Sequence, residues 1–222
     1  MCGIVGYVGA KPARDMLLGG LEKLEYRGYD SAGISVLGDD GEIESVRAVG
    51  NLSALRGALN GHGEIGAIGI GHTRWATHGR VSEQNAHPHD DTEGRVHIVL
   101  NGIVENFVEL RRRLEAEGCS FSSETDAEVV AHLVADHYDG DLPEAVRAAY
   151  NELRGHYAFV AMSADEPDVL AGARKECPLI VAAARASSSW PPPSPASSST
   201  PAASSTSTTT RSWPSPRRAS AS

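Results

Sequence analysis

The sequence predicts an α+β protein of packed layers, and three observations carry that reading. Apolar runs of strand length and segments of helical period come in blocks rather than in strict β–α alternation, which argues against a doubly wound parallel sheet. The chain has 222 residues, 41% of them hydrophobic, enough for a sizeable core. The last 37 residues are of a different material, so the core must come from what precedes them.

The elements follow in order. Residues 1–9 form an alternating, glycine-rich apolar run that reads as a strand. Over 12–25, Met16, Leu17, Leu21 and Leu24 recur at helical spacing. Strands are expected over 34–37 and 44–49, a short helix over 52–59, and a strand over 67–72. A buried strand over 96–100 is expected to stop at Asn101-Gly102. Helices over 105–117, 126–139 and 142–153 come next, the middle one opened by the cap signals Ser123-Glu124-Thr125-Asp126. Strands near 157–162, 169–173 and 179–183 complete the set.

Composition bounds the function. Residues 186–222 hold 14 Ser, 7 Pro, 6 Ala and 5 Thr and no acidic residue, so residues 1–185 carry a formal charge of −12. A strongly acidic body argues against nucleic acid and anionic membrane as partners. Three cysteines, Cys2, Cys119 and Cys177, give neither a paired framework nor a CxxC metal spacing, which points to a reducing, cytoplasmic setting. No signal peptide or apolar run of transmembrane length is present in the sequence. The tail has no periodicity and reads as a disordered low-complexity extension, giving a domain over 2–185 and a tail over 186–222.

The chemistry concentrates in a few clusters. Cys2 directly follows the initiator Met, and trimming of Met1 would leave one terminus bearing both a thiol and an α-amine. The amine titrates near ~7.7–8.0 and can accept the thiol proton, a known way to make a nucleophile. A buried structural cysteine is the alternative for that position. Arg74 and Asp126 offer opposite charges for an amino-acid substrate, and the Asn101 side chain with the Gly102 backbone N–H offers donors for an oxyanion. Taken singly, Arg74 and Asp126 read equally as surface charges and Asn101-Gly102 as a turn. His72, His78, His87 and His89 lack a metal-binding helical spacing, so no metal is expected.

Together these clusters match a family. Cys2-Gly3-Ile4-Val5-Gly6, the run Leu24-Glu25-Tyr26-Arg27-Gly28-Tyr29-Asp30-Ser31-Ala32-Gly33, and Gly71-His72-Thr73-Arg74-Trp75-Ala76-Thr77-His78-Gly79 are joined by two more. These are Asn85-Ala86-His87-Pro88-His89 and Asn101-Gly102-Ile103-Val104-Glu105-Asn106. The set resembles the glutaminase domain of glutamine–fructose-6-phosphate aminotransferases, from Met1 to about Val181. The resemblance implies an N-terminal-nucleophile hydrolase fold, a four-layer αββα sandwich of two antiparallel sheets between helices. It implies Cys2 as nucleophile, its α-amine as base, Arg27 positioning the terminus, and Asn101 and Gly102 as oxyanion hole. Arg74 and Asp126 would grip the glutamine backbone, Thr77 and His78 would belong to the glutamine loop, and Trp75 would gate ammonia. The implied substrate is glutamine, with no cofactor. Fructose 6-phosphate would bind C-terminal domains absent from these residues, and full-length relatives would be homo-oligomers. Another class II glutamine amidotransferase and an inactive glutamine-binding remnant are the alternatives.

The sequence departs from the family after Val181, where relatives continue with further strands that include a Phe-Leu-Ala-Ser-Asp-like segment. A frameshift near Ala182–Arg185 is the expected cause. Ser188-Ser189-Trp190-Pro191-Pro192 can be encoded by bases that, read one base earlier, give Phe-Leu-Val-Ala-Ser. A genuine low-complexity tail is the competing explanation.

Overall fold

The computed structural model of the chain describes residues 2–61, 66–76 and 79–182. Its strands form two four-stranded antiparallel sheets that face each other, with helices on the outer side of each. The first sheet has the order β1-β4-β2-β3, from β1 (Gly3–Val8), β2 (Ser31–Leu37), β3 (Ile43–Val49) and β4 (Ile68–Arg74). The second has the order β5-β6-β7-β8, from β5 (His89–Asp90), β6 (Val96–Val104), β7 (Gly155–Ser163) and β8 (Leu170–Lys175). Helices α1 (Ala13–Glu22) and α2 (Leu52–Ala58) cover the first sheet. Helices α4 (Asp126–Asp136) and α5 (Leu142–Glu152) cover the second, with α3 (Phe107–Ala116) packed on α4. This is the α+β, αββα layering that the resemblance implied.

Each element buries the face its period dictates. Helix α1 places Ala13, Leu17 and Leu21, spaced four apart, fully inside against the first sheet. Helix α4 is buried almost all round, from Asp126 to Val134, because β6 lies under it and α3 and α5 flank it. Its N-cap Thr125 accepts the Glu128 N–H, and Glu128 in turn accepts the backbone N–H groups of Ser122 at 2.6 Å and Ser123 at 2.7 Å. That arrangement follows the capping signal in the sequence, with the carboxylate reaching past the cap. Between the sheets the filling changes along the strands. Leu37, Ile68, Ile70, Val99 and Met162 form an apolar end. His72 and Asn101 form a polar one, while His97, on the far side of Val99 along β6, has Ser35 and Ser45 both 3.1 Å from its ring.

β4 owes its position to glycine. Its odd-numbered side faces α1, and an added Cβ at Gly69 would meet Leu17 at 2.9 Å and one at Gly71 would meet Leu21 at 3.1 Å. The helix therefore lies directly on the strand backbone. The even-numbered side points Ile68, Ile70 and His72 into the space between the sheets.

Three expectations need correction. β6 does not stop at Asn101-Gly102 but pairs with β7 through Val104↔Gly155. Gly102 takes φ 99°, a conformation open to glycine, so the strand kinks without losing its partner. No strand forms over 179–182: these residues run beyond the edge strand β8 without a ladder partner, and Ile180 and Val181 are 90% exposed. The helix expected over 12–25 ends at Glu22, and a 3-10 turn follows at Glu25–Arg27. The two-residue β5 is too short to show periodicity and was not expected. The boundary near residue 185 and the tail lie outside the described residues, among which no helix is long and apolar enough to cross a membrane.

Leu133 is fully buried in the core between α4 and the second sheet, whereas Val108 on α3 is 45% exposed. Leu133→Ala should cost about 2–5 kcal/mol in urea denaturation, and Val108→Ala no more than about 0.5 kcal/mol. Equal losses would contradict this assignment of the core.

Candidate active site

The site forms where the ends of both sheets meet. Cys2 directly precedes β1, whose antiparallel pairing sets Gly3 opposite Thr73 and so brings Cys2 to the exit of β4. There the Trp75 backbone N–H donates to Cys2 Sγ at 3.2 Å. From the facing sheet, Asn101 Nδ2 donates to the Cys2 carbonyl at 3.1 Å, and its Oδ1 lies 2.9 Å from His72 Nε2. Burial raises the Cys2 thiol above its ordinary pKa, against the Trp75 N–H and the Arg74 cation, which favour the thiolate. A thiol held this way is protonated at neutral pH and needs a base to react.

Two opposite charges, each in the field of the other, belong to the same region. Arg74 ends β4 and is only 4% exposed, and it lies in the field of Cys2, Asp30 and Asp126. Its Nη1 donates to the Arg80 carbonyl at 3.3 Å. Asp126 opens α4, is 6% exposed, and accepts the Val104 N–H at 2.8 Å where β6 ends. A helix N-terminus favours a carboxylate there. The segment after β4 is held from two sides. Asp30 Oδ2 accepts the Ala76 N–H at 2.9 Å, and Gly28 lies so close that an added Cβ would sit 2.7 Å from the Arg74 carbonyl carbon. Arg27 ends the 3-10 turn directly before that glycine. Trp75 is 43% exposed, its ring edge against Tyr29 at 5.3 Å between centroids.

The structure thus gathers Cys2, Arg74, Trp75, Asn101 and Gly102 at one end of the two sheets, with Arg27 behind them and Asp126 at the end of β6. Thr77 and His78 lie outside the described residues. Asp30 was not singled out in the sequence, although it stands inside the Tyr26-to-Gly33 motif just before β2. The role of His72, His87 and His89 was also missed. His87 stacks on His72 with centroids 4.1 Å apart and meets His89 edge-on at 4.7 Å. Burial holds all three imidazoles neutral, with His72 lowered to about 4 and His87 and His89 lowered well below 6.5. Among the described residues no group of three or more His, Cys, Asp or Glu is arranged to hold a metal ion.

The family model of the glutamine amidotransferase domain matches residues 72–189, more than half of the chain. The chain belongs to this glutamine amidotransferase family. It is 53% identical over 183 residues to the glutamine–fructose-6-phosphate aminotransferase of Gloeobacter violaceus, covering 82% of this chain and 30% of that one. The Streptomyces coelicolor enzyme of the same name is 53% identical over 184 residues, with the same coverage. The chain therefore spans less than a third of the length of these curated relatives. Among solved structures, the glutamine phosphoribosylpyrophosphate amidotransferase of B. subtilis aligns with a TM-score of 0.61 at 27% identity, over 74% of this chain and 35% of that one. A structure of an allosteric regulatory enzyme of purine biosynthesis aligns with a TM-score of 0.63, also at 27% identity and over 74% of this chain and 36% of its own.

The buried imidazoles carry a pH signature. His72 binds its proton only near pH 4 when folded but near 6.5 when unfolded, so its contribution is complete above 6.5 and is lost as pH falls towards 4. Urea stability should decline over that window by about 3 kcal/mol from His72 alone. A flat profile between pH 6.5 and 4.5 would show that these rings are not held neutral.

Proposed function

We propose that this chain is the glutaminase unit of a glutamine–fructose-6-phosphate aminotransferase, with residues 2–185 as its domain and 186–222 as an appended tail. The observation that carries the reading is Cys2 itself, its thiol held by the Trp75 N–H and its carbonyl by the Asn101 carboxamide, in the field of a buried cation, Arg74. Removal of Met1 leaves the α-amine of Cys2 free to take the thiol proton. The thiolate attacks the side-chain carbonyl carbon of glutamine, and the oxyanion formed is met by Asn101 Nδ2 and the Gly102 N–H. The ammonium of Cys2 returns the proton to the leaving nitrogen, so ammonia departs and a γ-glutamyl thioester remains. Water, deprotonated by the same amine, then releases glutamate and regenerates the thiol.

Specificity for an amino-acid substrate rests on charge. Arg74 takes the α-carboxylate and Asp126 the α-ammonium, each held in a poorly solvated site where such pairs discriminate well. Arg27, through the Gly28 contact with the Arg74–Trp75 backbone, supports the terminus, and Trp75 guards the exit for ammonia. Thr77 and His78 complete the set of glutamine-binding residues. Amination of fructose 6-phosphate to glucosamine 6-phosphate, for amino-sugar synthesis in the cytoplasm, would take place in the part of such enzymes beyond these 222 residues.

Glutamate release from glutamine by the purified, Met1-processed chain tests the reading. Cys2→Ala should reduce turnover to background, and turnover surviving that change would remove the proposal. Asn101→Ala should lower kcat about 10²–10³-fold with little change in KM. Asp126→Asn should instead raise KM by about 10- to 100-fold, the loss expected for one charged, buried hydrogen bond.

A further inference from the structure

We propose that His72 is a positioning residue that fixes the orientation of the Asn101 carboxamide, through a neutral imidazole ladder formed with His87 and His89. The inference rests on the glutaminase reading above, in which Asn101 Nδ2 serves the oxyanion.

The Cys2 carbonyl only accepts hydrogen bonds, so the group 3.1 Å away from it on Asn101 must be the NH2. The Asn101 oxygen then faces His72 Nε2 at 2.9 Å, and since that oxygen only accepts, Nε2 must carry the proton. One N–H of the Asn101 amide is committed to Cys2, and the second remains for the oxyanion. Without the His72 donor, the carboxamide would have a buried oxygen with no partner. Rotating it to find one would aim an oxygen at the negative charge instead of a donor.

The ring that makes this contact is itself locked. His72 is 1% exposed and its position on β4 is fixed by pairing with Ile4 on one side and Gly33 on the other. His87 lies flat against it, with an interplanar angle of 22°. His87 Nδ1 accepts the N–H of Leu100, the residue before Asn101, at 3.3 Å. His89, next in the ladder, has Nε2 3.0 Å from the hydroxyl of Thr125, the cap of α4 and the neighbour of Asp126. The ladder therefore runs from the residue proposed to meet the oxyanion to the turn that carries the residue proposed to meet the substrate ammonium.

The test compares His72→Phe, which keeps an aromatic ring for the stack but removes the donor, with His72→Gln, which restores an N–H of similar reach. In the processed 222-residue chain, His72→Phe should lower kcat for glutamine hydrolysis about 10²-fold, the loss seen when one oxyanion donor is removed, with KM within about threefold. His72→Gln should recover at least about a tenth of the wild-type kcat. Alkylation of Cys2 by iodoacetamide passes through no oxyanion, so its rate should be unchanged in both variants. Nitrogen NMR of the wild-type imidazole should show the Nε2–H tautomer, a measurement that does not depend on either variant folding. The inference fails if His72→Phe turns over at the wild-type rate, if alkylation falls in step with turnover, or if Nδ1 carries the proton. A wild-type chain that processes Met1, folds and yet releases no glutamate would instead count against the glutaminase reading.

Discussion

The contact on which the rest depends is the approach of β6 to β4 at the polar end of the space between the sheets. There the Asn101 side chain touches both the Cys2 carbonyl and His72, so one short amide joins the residue just ahead of the first sheet to the second sheet. Everything around it fixes that approach. The apolar end, with Ile68, Ile70, Val99 and Met162, sets the spacing. The kink at Gly102 then carries β6 onward to Val104, whose N–H meets Asp126 at the start of α4.

Polar groups at this depth are costly unless paired. The arrangement meets the cost by closing contacts in chains rather than singly. Asn85 shows it well: its amide donates to the Arg80 carbonyl at 3.0 Å and to Glu124 at 3.2 Å, while its own oxygen accepts the Glu124 N–H at 2.9 Å. The same Arg80 carbonyl takes the Arg74 guanidinium. Loop, strand end and helix entry are thereby tied to one another, which gives the site a fixed shape before any ligand arrives. At the opposite margin, the Arg47–Asp90 ion pair at 2.8 Å links the outer strands of the two sheets.

Much of this could be read in advance. Helices announced themselves through apolar spacing and, for α4, through Thr125 and Glu128. Strands with alternating or continuously apolar residues, such as β2 and β7, were equally plain. The misses have physical causes. Asn101-Gly102 carries the composition of a turn, and only pairing with Ala158 and Tyr157 across the sheet keeps the chain extended there. Residues 179–182 carry strand-like composition, but a strand exists only against a partner. For the candidate site, residue type and motif pointed to Cys2, Arg74, Asn101 and Asp126. The stacking of His72 on His87 could not be seen, because it joins β4 to a loop 15 positions later through tertiary packing alone. Asp30 was hidden for a similar reason: its carboxylate caps a backbone N–H at Ala76, 46 residues away.

The two sides of β4 have a consequence for how such a site tolerates change. Because Gly69 and Gly71 contribute no side chains to the helix side, the strand has no slack in that direction. A methyl group added at either position would act like a shim under a lever. It would lift β4 away from α1 and tilt its far end, where His72 and Arg74 sit, towards the facing sheet. The accuracy of the candidate site is thus stored on the opposite face of the strand, in atoms that are not there.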